Sequence, residues 1–119
     1  MKAQLEKPVL DCPDPAALAS FYAAALGMSV LENQPDWVVI GRHPGMREIA
    51  FQLADPWTAP RWPDPDHPQH MHLDIRVDDV DTAEQGYRVF LDPVGHPFCL
   101  VFGPSLIPDP RMDFDITIR

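Results

Sequence analysis

Val9-Leu10-Asp11-Cys12-Pro13-Asp14-Pro15 and His72-Leu73-Asp74-Ile75-Arg76-Val77-Asp78-Asp79 decide the reading of this chain, because each is a strand-like run that ends at an acidic helix entrance. In the first, Asp14 is predicted to cap the helix, since its carboxylate can accept a free N–H of the first turn. Pro15 suits the first helical position, where a missing N–H costs nothing. Leu18, Phe21, Tyr22, Ala25 and Leu26 then recur at three-four spacing and predict one apolar stripe against a sheet, closed by Gly27 in a left-handed conformation. A strand over Leu5 to Cys12 precedes this helix. Strands over Ser29 to Glu32, Asp36 to Gly41 and Glu48 to Leu53 follow it, completing a βαβββ unit.

The second stretch opens a similar unit, with a strand predicted from His70 to Val77 and a helix entrance at Asp78 to Asp81. Gly86 to Leu91 and Phe98 to Phe102 are its later strands, joined by the turn Asp92-Pro93-Val94-Gly95. Sliding the chain by 65 residues lays Leu10, Cys12 and Asp14 over Ile75, Val77 and Asp79, and sliding by 50 lays Trp37, Val39, Ile40 and Gly45 over Tyr87, Val89, Phe90 and Gly95. Such self-similarity marks a duplicated unit. The offsets differ by 65 − 50 = 15 residues, so the second unit has lost most of its helix and a strand: either residues are missing near Gln85 or the unit carries a true deletion. The fold class expected is α+β, two βαβββ modules whose mixed sheets curl around a shared cleft, the second with a truncated helix.

One domain is expected over residues 1–119, with module one at about 4–54, a connector at 55–68, module two at about 69–103 and a tail at 104–119. The connector holds Pro56, Pro60, Pro63, Pro65 and Pro68, which exclude regular structure and stiffen it, together with Trp57 and Trp62. In the tail, Phe114, Ile116 and Ile118 alternate with polar residues like a half-buried strand that extends a sheet edge. A formal charge of −9 argues against nucleic acid and anionic membranes as partners. The N-terminus lacks a secretory pattern, no apolar run is long enough to span a bilayer, and two cysteines do not make a disulfide framework. The chain therefore reads as soluble and cytoplasmic, with Cys12 and Cys99 reduced.

These two stretches, with Phe21-Tyr22, Leu26-Gly27 and Asp92-Pro93-Val94-Gly95-His96-Pro97-Phe98, resemble the vicinal-oxygen-chelate superfamily and, more narrowly, a glyoxalase-like domain. The resemblance spans about Leu5 to Phe102. It implies the paired-module fold and a homodimer, but its members include lyases, dioxygenases, epimerases, transferases and metal-free drug-binding proteins, so it leaves enzyme and binder open.

In metal-using members the ligands come from the first and last strands of each module, which the resemblance places here at Lys7, Gln52, His72 and Cys99. Only His72 is an ordinary ligand in that pattern: Lys7 is a cation, Gln52 a weak neutral donor and Cys99 softer than a carboxylate. No cofactor is therefore expected. If a divalent metal binds, His72, Gln52 and His70 are its candidate ligands, His70 because it would share a strand face with His72. Without a metal, His72 is the candidate catalytic base. Gln52, His70, Cys99, Phe51, Trp57 and Trp62 are the candidate ligand-binding residues, although Phe51 and Trp37 could equally be core and Cys99 a small buried hydrophobe. The reading favoured is a metal-independent small-molecule-binding protein. The alternatives are a metal-dependent lyase, isomerase or dioxygenase using His72 and Gln52, and an antibiotic resistance protein that sequesters a cationic drug.

Overall fold

A computed structural model describes residues 4–61, 63–68, 70–77 and 86–102. Strand β1 (Val9–Cys12) leads into helix α1 (Pro15–Leu26), and β2 (Ser29–Gln34), β3 (Trp37–Gly41) and β4 (Ile49–Leu53) complete the first unit. The second contributes β5 (Leu73–Arg76), β6 (Gly86–Leu91) and β7 (Pro97–Phe102). The helix starts and stops where its capping residues require. The Asp14 carboxylate accepts from the Ala17 N–H at 3.2 Å, and Gly27 at φ 67° reverses the chain.

The two sheets share one connectivity. The first has the order β1-β4-β3-β2, with β1 parallel to β4 and the other pairs antiparallel. The second has the order β5-β7-β6, with β5 parallel to β7 and β6 antiparallel to β7. Thus β5, β7 and β6 stand where β1, β4 and β3 stand in the first unit, which is the duplication expected from the sequence. The counterpart of helix α1, and any missing residues near Gln85, fall between 78 and 85, outside the described residues; Trp62 and the tail from 103 onward lie outside them as well. The connector holds no helix or strand among its described residues, as its prolines dictate.

The register corrects two expectations. The buried face of α1 is Pro15, Leu18, Ala19, Tyr22 and Ala23, while Ala25 is exposed and Phe21 and Leu26 are half-buried. Small side chains at 19 and 23 let the helix lie close on its sheet, and the stripe rotates to use them. Phe21 instead reaches the second sheet, its ring 6.0 Å from that of Phe98. The strand expected from His70 begins only at Leu73, because His70 sits at φ 58° and breaks the extended backbone.

Tyr22 joins the two halves of the core. Its ring stacks on Phe51 at 5.7 Å and meets Phe98 edge-on at 6.2 Å. Leu73, Ile75 and Val94 from the second unit pack on the same cluster. Facing pairs then fix the opposite surface of the second sheet: with Phe98 turned to the helix, the alternation of β7 and β5 turns Cys99 and Asp74 away from it.

Candidate functional site

A cavity of about 460 Å³ lies between β1, the connector and the approach to β5, within the range usual for small-molecule sites. Each wall has a local cause. Pro8 to Asp11 present the free side of β1, and the connector is held in place beside it by its own turn. There the Arg61 N–H donates to the His67 carbonyl at 2.8 Å and the His67 N–H to the Asp64 carbonyl at 3.1 Å. The backbone N–H of Asp66, and after it the His67 ring, hold the Asp64 carboxyl below the usual carboxylate range. Trp57 contributes the main aromatic surface, with its ring 5.2 Å from His96 in an edge-on contact. His67, His70, His72 and His96 all border this cavity, leaving only His43 elsewhere among the five histidines of the chain.

His72 is half-exposed and its Nε2 lies 3.1 Å from Asp74 Oδ1. Cys99 is 8% exposed and stands opposite Asp74 in the β5–β7 register. Burial pushes the Cys99 thiol up, and the Asp74 carboxylate adds to this by its charge and by accepting the thiol hydrogen bond. Donor atoms of His72, Asp74 and Cys99 all lie within 4.8 Å of one another. Asp74 is thus a hub that serves both neighbours. Sequence reasoning missed it, although its place two residues after His72 and opposite Cys99 would have shown it.

Of the expected site residues, the structure brings His72 and Cys99 together, and places His70, His72 and Trp57 around the cavity. Gln52 is exposed and is not among the cavity walls. The registers explain why: Val9 pairs with Ala50 and Asp74 with Cys99, so the counterpart of Cys99 is Ala50, and Gln52 is two residues further on, opposite Asp11. Phe51 is fully buried under the helix, so it is a core residue and not a ligand-facing aromatic. His70 does border the cavity, but its left-handed backbone removes the strand alternation that would have aligned it with His72. Trp62 lies outside the described residues. Lys7 has a side chain only 10% exposed and pairs with Glu6 at 3.2 Å, which places a cation where the family pattern uses a metal ligand.

A cation at His72, Asp74 and Cys99 would have to take the proton from a thiol that burial and a carboxylate already hold on, and would compete for the one carboxylate that organises the group. Of the candidate metal set His72, Gln52 and His70, the two histidines border the cavity and Gln52 does not.

The family profile described as glyoxalase-like domain matches residues 7–86, and the chain belongs to this family. Among solved structures, a bleomycin-binding protein from bleomycin-producing Streptomyces verticillus, complexed with copper(II)-bleomycin, is 17% identical with a TM-score of 0.51, covering 87% of this chain and 99% of its own. The oxidase ChaP-H2 is 20% identical with a TM-score of 0.53, covering 89% and 98%. A glyoxalase family protein from Enterococcus faecalis is 19% identical with a TM-score of 0.51, covering 84% and 96%. At these identities the likeness establishes the fold alone. No curated protein matches the chain. Among the described residues no helix is long and apolar enough to cross a membrane.

Proposed function

We propose that the chain is a metal-independent small-molecule-binding protein of the glyoxalase-like family. The observation that carries this reading is the 460 Å³ cavity, which four histidines, Asp11 and Asp66 border together with apolar residues and Trp57. An aromatic ligand lies against Trp57 and hydrogen-bonds to His72, which Asp74 orients. In the neutral ring, donation from Nε2 to Asp74 leaves Nδ1 as an acceptor, so His72 also remains the candidate base if a bound ligand turns over. Titrating metal-stripped protein with the neutral fluorophore N-phenyl-1-naphthylamine tests the reading. It expects one probe per chain, with affinity unchanged by EDTA and weakened at least fivefold by Trp57→Ala. Absence of saturable binding refutes it.

Sequestration of a cationic antibiotic is a narrower version, supported by the acidic balance of the chain and by the bleomycin-binding neighbours. A panel of cationic antibiotics read by tryptophan fluorescence tests it, and no change at millimolar ligand rejects it. A divalent metal at His72, Asp74 and Cys99 is the second reading, favoured by the 4.8 Å grouping of their donor atoms. Less than a tenth of an equivalent of zinc, nickel, manganese or iron after dialysis, with no rise in melting temperature on adding them, removes it. A cytoplasmic homodimer completes the proposal, supported by the alternating tail sequence and by exposed Tyr87 and Leu91 on β6. Sedimentation as a monomer at high micromolar concentration rejects the dimer.

A further inference from the structure

We propose that His96 is a ligand-contacting residue of this cavity and that the buried carboxylate of Asp92 is its positioning residue, an inference that rests on the cavity being the ligand site. Asp92 is 5% exposed and has no role in the ligand contacts described above. Its Oδ1 accepts the N–H groups of Val94 at 3.0 Å and His96 at 2.9 Å, which shapes the β6–β7 turn. Its Oδ2 accepts the Tyr22 hydroxyl at 2.8 Å, which ties that turn to helix α1 across 70 residues of chain.

From this anchored turn the His96 ring reaches back to the first unit. Its Nε2 lies 2.7 Å from the Asp11 carbonyl oxygen. A carbonyl only accepts, so Nε2 carries the proton and Nδ1 of the neutral ring is left as an acceptor. The ring edge meets Trp57, and Gly95 beside it sits so close to the connector that a side-chain carbon there would lie 3.1 Å from Ala59 Cβ. Asp11, Tyr22, Trp57 and His96 all border the cavity. One carboxylate therefore registers a strand, a helix, the connector and a turn around the same space. Its effect on the ligand passes through the placement of His96 and, through His96, of Trp57.

Two readouts on the full chain test this. The first is the imidazole ¹H–¹⁵N spectrum, in which His96→Ala assigns the His96 signals. Wild type is expected to show a His96 Nε2–H protected from exchange with an unprotonated Nδ1, and Asp92→Ala is expected to lose that protection. Asp92→Asn, whose amide oxygen can still accept from both N–H groups, recovers it. The second is affinity for N-phenyl-1-naphthylamine, expected to weaken at least fivefold in Asp92→Ala and in His96→Ala, with Asp92→Asn recovering most of the loss. An unchanged His96 signal in Asp92→Ala, or His96→Ala binding the probe as tightly as wild type, overturns the proposal. His96→Ala leaves the Asp92 anchor in place and decides the matter if Asp92→Ala does not fold. Wild type that ignores the probe defeats the ligand-site reading, while the spectrum alone still decides whether Asp92 positions His96.

Discussion

Replacing Tyr22 by Phe removes one hydroxyl and no packing surface, so it isolates the hydrogen bond that joins helix α1 to the second unit. Tyr22 is 1% exposed and Asp92 5%, and the bond is 2.8 Å long, so both partners are shielded from bulk water. Hydrogen bonds to charged groups contribute about 1.5–3 kcal/mol, and a buried carboxylate left short of one donor loses about that much. Asp92 keeps the Val94 and His96 N–H groups, which places the expected loss near the middle of the range, at about 2 kcal/mol. With a urea slope of about 2 kcal/mol per molar, the unfolding midpoint should fall by roughly 1 M with the slope unchanged. Combining Tyr22→Phe with Asp92→Ala should give less than the sum of the single losses, because the two groups share one interaction. A loss below about 0.5 kcal/mol, or strict additivity in the double variant, would refute the claim that this bond couples the two halves.

Phe51→Ala should cost about 3–5 kcal/mol in urea unfolding and Gln52→Ala almost nothing, since one fills the core and the other is exposed; equal effects would contradict that placement. Gly95→Ala should cost about 1–2 kcal/mol, because Gly95 has φ 96° and faces Ala59, whereas Gly45→Ala, whose nearest neighbours are His43 ring atoms at 3.5 Å, should be within about 0.5 kcal/mol of wild type. Burial, reinforced by the charges of Asp14, Asp11 and Asp92, pushes the Cys12 thiol up to about 11 from 9.0. A raised folded-state pKa contributes stability that is intact below pH 9 and is lost as pH rises through 11, so melting temperature should fall across that window and fall less in Cys12→Ala; equal slopes would show that another group governs the loss. Asp74→Asn should weaken N-phenyl-1-naphthylamine binding two- to tenfold by freeing the His72 ring, and an affinity equal to wild type would remove Asp74 from the site.

The fold was legible because duplication and capping are local signals. Asp14, Pro15 and Gly27 define the helix within one or two turns, and the 65- and 50-residue offsets reproduce the shared sheet connectivity. The helix face was less legible, because alanines 19 and 23 give no strong apolar signal and yet are the residues that permit close packing. The site was legible only in part. His70, His72 and Trp57 stand in order along the chain and do meet at one cavity. Gln52 was misplaced because matching it to Cys99 takes an offset of 99 − 52 = 47, whereas the strand registers match Ala50 to Cys99 at 99 − 50 = 49. A two-residue displacement keeps the strand face but moves the residue along the strand, away from the group it was matched with. Asp92 and His96 read as turn residues, and nothing local announces a bond from Asp92 to Tyr22 or from His96 to the Asp11 carbonyl.

A small molecule is expected to bind in the cavity between β1, the connector and β5. Backbone and tryptophan-indole resonances of metal-stripped protein, followed while N-phenyl-1-naphthylamine is added, should shift together at Trp57, His72, His96 and β1, with little change at Gln52. Shifts centred away from the connector, or a response that appears only after a divalent metal is restored, would contradict it.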